Sequence, residues 1–366
     1  SSTMGVALSG NLLTLFFFYE VLTLSTYPLV THAGTREARA GGRVYLGILI
    51  ATSMGLLLPA IILVSIQAGT LDFVPGGILQ DVSPAWTGLI LVLFLFGIGK
   101  AALMPFHRWL PSAMVAPTPV SALLHAVAVV KAGVFTITKV IVYIFGVDFL
   151  FAEPSSGWLF YAAAFTIITA SLVALRQQNL KRLLAYSTIA QLSYVVMAAA
   201  ILKPLAEVGA AMHMLAHAFG KITLFFAAGA IYTASKKTEL WQLNGIGRRM
   251  PVTMTAFTIG ALSMIGVPPT AGFISKWYIL AGAFQADNYL ALATIIASTA
   301  LNAAYFLPIV YAAWFLPDTT PPGKAHGEAP FAAVLALAIT AALTLVFFGY
   351  SAPAYELEAQ LVRGQP

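Results

Sequence analysis

Residues 85–104 read AWTGLILVLFLFGIGKAALM and run directly into Pro105-Phe106-His107-Arg108-Trp109-Leu110-Pro111. An apolar run of this length makes a helix of about 30 Å, the thickness of a bilayer's hydrocarbon core. It differs from an ordinary lipid-facing helix in two ways. It carries a lysine, Lys100, and it is followed at once by prolines, each of which removes a backbone donor. Interrupted backbone at membrane depth survives only where protein buries it or where it lines a wet cavity. The stretch therefore predicts one broken helix inside a larger membrane bundle.

Similar runs recur from end to end. Ten spans are predicted, over 8–31, 44–67, 85–104, 117–145, 157–175, 183–201, 206–232, 252–283, 290–316 and 329–350. The alternating pattern of a membrane β-barrel is absent. The expected fold is all-α, a polytopic transmembrane helical bundle. Of the 366 residues, 60% are hydrophobic and only 9% charged. A soluble domain carries about 25% charged residues.

The loops carry the orientation. Loops on one side hold Arg36, Arg39, Arg43, Arg108, Arg176, Lys181, Arg182, Lys236, Lys237, Arg248, Arg249 and Lys324, and those on the other hold Lys203 alone. The acidic residues Asp72, Asp81, Asp148, Glu153, Glu207 and Asp287 are read into the second set. The basic loops are therefore expected in the cytoplasm of a cell with the chain in its inner membrane. This sidedness accounts for the net charge of +6 without nucleic acid. The opening residues Ser1-Ser2-Thr3-Met4 lack a signal-peptide pattern, and further helices are expected upstream.

There is no cysteine, which excludes disulfides, thiol catalysis and cysteine-ligated iron–sulfur clusters. Gly97-Ile98-Gly99-Lys100 has no Ser or Thr after the lysine and sits in an apolar helix, so it is not a phosphate loop. No cofactor and no metal site are expected.

The eighth span holds a second break, Gly266-Val267-Pro268-Pro269-Thr270-Ala271-Gly272, with Lys276 after it as Lys100 precedes the first. The breaks lie five spans apart, an odd offset that inverts topology. Two inverted five-helix repeats are expected. The boundary falls between 145 and 146: 1–145 hold spans 1–4, and 146–366 hold spans 5–9 with span 10 and the tail. Together they make one membrane domain.

A charge at the bilayer centre costs about 2.5–3.5 kcal/mol on insertion scales, so residues kept there mark function by default. Five lysines lie inside spans: Lys100, Lys131, Lys139, Lys221 and Lys276. Glu20 is read as the only acid within any span, and as the natural partner of a buried lysine. A Glu–Lys pair that can separate switches the lysine between holding and releasing a proton; the plainer reading is a static pair that fixes packing. His213, His217 and Lys221 sit at i, i+4 and i+8 on one helical face, a spacing suited to a proton relay. His125, six residues before Lys131, is read as a pathway residue on another face, with core packing as the alternative. Lys139 lies near a span end, where snorkelling explains it as well as transport does. His107 belongs to the first break; His32 and His326 read as ordinary loop residues.

These residues resemble those of a known family, the antiporter-like proton-translocating subunits of Mrp-type Na⁺/H⁺ antiporters and respiratory complex I. The likeness is carried by Phe18-Tyr19-Glu20, Gly99-Lys100-Ala101-Ala102, Pro105 to Pro111, Ala116 to His125, Val130-Lys131-Ala132-Gly133-Val134, Ala216-His217-Ala218-Phe219 and Thr270 to Lys276. The resemblance implies that Glu20 and Lys100 form a glutamate–lysine pair and that Lys131 bridges onward. It also implies that His213, His217 and Lys221 form a hydrated central relay and that Lys276 is the terminal lysine. It implies partners as well: other membrane subunits of a multisubunit complex, with protons and Na⁺ as cargo. The short tail from Ser351 to Pro366 favours membership of an Mrp-type complex. The alternative is a redox-driven pump of the NADH:quinone oxidoreductase kind, and a stand-alone transporter or structural scaffold is the third reading.

Overall fold

The computed structural model describes residues 1–153, 156–318 and 327–363; Lys324 and His326 lie outside the described residues. The helices are α1 (Ser2–Leu8), α2 (Leu12–Val30), α3 (Arg36–Ala68), α4 (Pro84–Gly97), α5 (Thr118–Phe145), α6 (Trp158–Leu175) and α7 (Leu180–Ala200). They continue as α8 (Pro204–Ser235), α9 (Pro251–Ile265), α10 (Ala271–Gln285), α11 (Tyr289–Phe315), α12 (Phe331–Gly349) and α13 (Ala352–Arg363). Eight of them are long and apolar enough to cross a membrane, and α4 and α9 are shorter apolar helices. The chain is all-α and polytopic.

Local chemistry sets the helix ends. The side chains of Asn11, Thr35, Asn179 and Asn288 each accept a backbone N–H in the first turn of α2, α3, α7 and α11, satisfying donors that the helix leaves open. Pro84, Pro204 and Pro251 occupy the first helical position, where the missing N–H costs nothing.

The connections gather at two ends of the bundle. At one end, Lys181 Nζ donates to Ala116 O and Leu180 N to Thr238 O, Arg249 pairs with Asp318, and Glu328 accepts from Val252 and Thr253. At the other, Leu12 N bonds Leu71 O and Ile78 N bonds Ile144 O. The first end carries the basic loops, as the charge pattern requires. α7 runs through the centre, with 89% of its apolar window buried, whereas α12 is peripheral at 17%.

Two expectations need correction, on the third span and on Glu20, while the eighth span breaks where expected. The third span does not continue to Met104: α4 stops at Gly97, and Gly99–Ala101 form a single 3-10 turn that contains Lys100. Here the backbone N–H of Lys100 is taken by the Tyr19 hydroxyl (3.1 Å), and the Trp109 indole donates to Gly99 O (2.8 Å). Lys100 thus belongs to the break itself. The eighth span resolves into two helices, α9 and α10, separated by Gly266 at φ 91°. Glu20 is not the only acid in a span, because Glu207 lies buried in the first turn of α8.

The first break is held against α5 at Gly133. A Cβ there would lie 2.3 Å from Ala101 N and 2.4 Å from Lys100 C, so glycine is what allows the turn to approach.

Candidate proton relay across the bundle

Lys100 is fully buried. Its Nζ donates to Tyr19 O (2.7 Å) and Thr23 Oγ1 (2.6 Å), and it lies 3.0 Å from the centroid of the Tyr19 ring. All three contacts come from α2. Glu20, next to Tyr19, does not pair with it directly: both carboxylate oxygens are buried without a hydrogen-bond partner. The expected glutamate–lysine pair is therefore a pair of neighbours rather than a contact. The reason lies in the backbone, where a helical carbonyl and a threonine hydroxyl on α2 already hold the ammonium.

The α8 stripe fans out. Four residues at 3.6 per turn advance the face by about 40°, so side chains at i, i+4 and i+8 aim progressively apart. His217 Nδ1 meets Lys131 Nζ of α5 at 2.9 Å. His213 Nδ1 meets Ser275 Oγ of α10 at 2.9 Å, one residue before Lys276. Lys221 Nζ turns to α7, donating to Ser187 Oγ (2.7 Å) and Leu184 O (3.2 Å). The His213 and His217 rings are 6.3 Å apart, and the second nitrogen of each is buried without a partner.

Lys276 donates to Met264 O and Ile265 O, both at 2.9 Å. These are the carbonyls that the end of α9 leaves open. The lysine thus caps the break in its own span, whereas Lys100 reaches across to a neighbouring helix. His125 is fully buried, with neither nitrogen partnered and its ring 5.1 Å from that of Phe225. It touches no other relay residue through a hydrogen bond. Lys139 bonds Ser9 O (2.6 Å) and Ala7 O (3.3 Å), fastening α1 to α5 away from the relay.

The structure thus brings together Lys131, His217, His213, Ser275 and Lys276, with Lys221 branching toward α7. Among the described residues no three His, Cys, Asp or Glu side chains cluster as metal ligands.

Sequence reading missed the neutral partners: Thr23, Ser187, Gln191, Ser275, Asn302 and Tyr305, all buried. The signal was thin, since hydroxyls in membrane helices commonly bond their own backbone, as Thr188 does to Leu184 O. The one usable signal is the amide of Asn302 within the long apolar helix α11.

The chain is thus a polytopic bundle with two broken helices and a buried row of lysines and histidines. Residues 9–302 match the family model described as NADH:quinone oxidoreductase/Mrp antiporter, TM, and the chain belongs to that family. It is 35% identical over 338 residues to NADH-quinone oxidoreductase subunit N of Desulforudis audaxviator (strain MP104C), covering 89% of this chain and 65% of that protein. It is 36% identical over 311 residues to the A/B subunit of a probable K(+)/H(+) antiporter of Rhizobium meliloti (strain 1021), covering 83% of this chain and 30% of that one. The chain thus spans less than two thirds of either relative. A chain in the structure of the membrane-bound sulfane sulfur reductase, an archaeal respiratory membrane complex, superposes with a TM-score of 0.85 at 28% identity, covering 99% of this chain and 73% of that chain.

Proposed function

We propose that the chain is a proton-translocating subunit of a multisubunit Mrp-type monovalent cation/proton antiporter in the inner membrane. Protons move along Glu20, Lys100, Lys131, His217, His213, Lys221 and Lys276, with His125 beside the path. The observation that carries this reading is the buried run Lys131–His217 and His213–Ser275–Lys276, in which each lysine is held by neutral acceptors and none by an acid. A static cluster of lysines serves packing poorly, because each unpaired charge works against burial. A cluster that exchanges protons is charged only in part at any moment. The unpartnered imidazole nitrogens and Glu20 oxygens supply the vacant acceptors such exchange needs.

The test is cation-dependent proton exchange in vesicles that hold the assembled complex. Lys276→Ala and Lys131→Ala are each expected to abolish it. Unchanged exchange in either variant sinks the proposal.

A second reading is a proton-pumping subunit of an NADH:quinone oxidoreductase, in which the same relay is driven by electron transfer in other subunits. The 35% identity to an NADH-quinone oxidoreductase subunit N over 338 residues supports it. Proton pumping that depends on quinone reduction and ignores Na⁺ and K⁺ gradients would select it over the antiporter.

The halves 1–145 and 146–366 are read as inverted repeats. In support, each half holds one short apolar helix, α4 with 14 residues and α9 with 15, and each ends at a break that carries or precedes a lysine. The chain has no cysteine, so single cysteines report sidedness cleanly. Asp81→Cys and Arg248→Cys, just before the two broken helices, are expected to react from opposite sides of the membrane. Labelling of both from one side would rule the repeat out.

A further inference from the structure

A second set of hydrogen bonds joins the surroundings of Lys221 and Lys276 through neutral side chains alone. Lys221 Nζ donates to Ser187 Oγ (2.7 Å), and the hydroxyls of Ser187 and Tyr305 are 3.1 Å apart. The Tyr305 hydroxyl also bonds Asn302 Oδ1, and Asn302 Nδ2 donates to Met264 O at 3.3 Å. That same carbonyl takes Lys276 Nζ (2.9 Å) and Gln191 Nε2 (3.2 Å). Four helices contribute: α7, α8, α9 and α11, with Lys276 reaching in from α10.

Chemistry fixes the direction of the bonds. Asn302 Oδ1 has no hydrogen to give, and rotating the amide would set its oxygen against the Met264 oxygen. The Tyr305 hydroxyl donates to Ser187 Oγ and to Asn302 Oδ1, so its one hydrogen is shared between them, and Ser187 Oγ also accepts from Lys221. Asn302 in turn donates to the Met264 carbonyl. That oxygen has two lone pairs, and three donors compete for it.

We infer that Ser187, Tyr305 and Asn302 form a fixed link by which loading of Lys221 loosens the hold of Met264 on the Lys276 ammonium. Tyr305 and Asn302 are positioning residues in it. An ammonium donating to Ser187 Oγ competes with Tyr305 for that oxygen, turns the Tyr305 hydrogen toward Asn302 Oδ1 and strengthens the last donation. A stronger Asn302 bond to Met264 O leaves less of that oxygen for Lys276. Since a carbonyl only accepts, no proton crosses it. The link sets the readiness of Lys276, while the proton travels by way of His213 and Ser275. This inference rests on the relay reading above.

Other groups face the two lysines. Around Lys276 they are Tyr194 of α7, whose ring lies 5.0 Å away, and His213 of α8. Around Lys221 they are Lys131 and His125 of α5, His217 of its own helix and the Phe306 ring of α11 at 5.7 Å. The variants that test the link leave all of them in place.

Tyr305→Phe removes only the hydroxyl and keeps the ring beside Phe306, 4.7 Å away. In vesicles that hold the assembled complex, its transport rate is expected to fall about fivefold, the worth of one neutral buried hydrogen bond, and its rate-against-pH profile to shift. Asn302→Leu is expected to shift the profile in the same sense. The double variant should do no more than the stronger single, because both cut one chain. If Asn302→Leu fails to assemble, Tyr305→Phe decides alone. Wild-type rate and pH profile in Tyr305→Phe overturn the link and leave the relay reading standing. Normal transport in Lys221→Ala would instead bring down the relay and the link with it.

Discussion

Lys139 and Lys276 look alike as sequence, each a lysine within an apolar span, but their surroundings separate them. Lys139 is partly exposed and holds the carbonyls of Ala7 and Ser9 near the end of α1. Lys139→Met should leave transport intact and lower the thermal unfolding midpoint in detergent, at a cost of about 1–3 kcal/mol for the charge-assisted bonds lost. A loss of transport at unchanged stability would move Lys139 into the pathway. Glu20 makes the opposite case. Its carboxylate makes no hydrogen bond, so Glu20→Gln should assemble at wild-type levels. Transport should fall severely, because the variant removes the acid next to Tyr19, whose carbonyl holds Lys100. Assembly without loss of transport in this variant would mean that the pair only fixes packing.

The broken helices show why the lysines can be buried at all. A continuous helix consumes its own carbonyls, whereas α9 ends at Ile265 and leaves oxygens for Lys276. The first break works differently: its lysine leaves the helix and reaches α2, which requires the turn to lie flat against α5. Gly133→Val places side-chain carbon 2.3 Å from Ala101 N and should destabilise the protein by about 1–3 kcal/mol through overpacking. It should also displace Lys100 and so lower transport together with stability. Gly55→Ala meets nothing within 4 Å and serves as the control, expected to be neutral in both. Equal behaviour of the two variants would show that the close approach at Gly133 is dispensable.

At the scale of the molecule, the proposed relay is read as driven by neighbouring subunits. Mild-detergent purification with mass spectrometry of what comes along with the chain is expected to return small hydrophobic membrane subunits without redox cofactors. Flavin- and iron–sulfur-carrying subunits would place the same relay in a respiratory enzyme.

The sequence by itself pointed to an all-α bundle of apolar helices, to the two breaks and to the residues worth suspecting. Hydrophobic runs and charged loops are local properties, and a lysine in an apolar stretch is conspicuous wherever it sits. The family resemblance set Lys131 beside the His213–His217–Lys221 stripe, and Lys131 and His217 do meet, although they stand 86 residues apart. Where α4 stops was illegible, because the hydroxyl that takes the Lys100 N–H belongs to Tyr19, 81 residues away. The neutral partners were hidden for a related reason. Ser187 and Tyr305 are 118 positions apart, and neither residue type announces a buried role. A serine in a helix can bond its own turn, face lipid or face a lysine. Only the packing of α7 against α8 and α11 selects the last of these, because there the alternative is an ammonium buried without an acceptor.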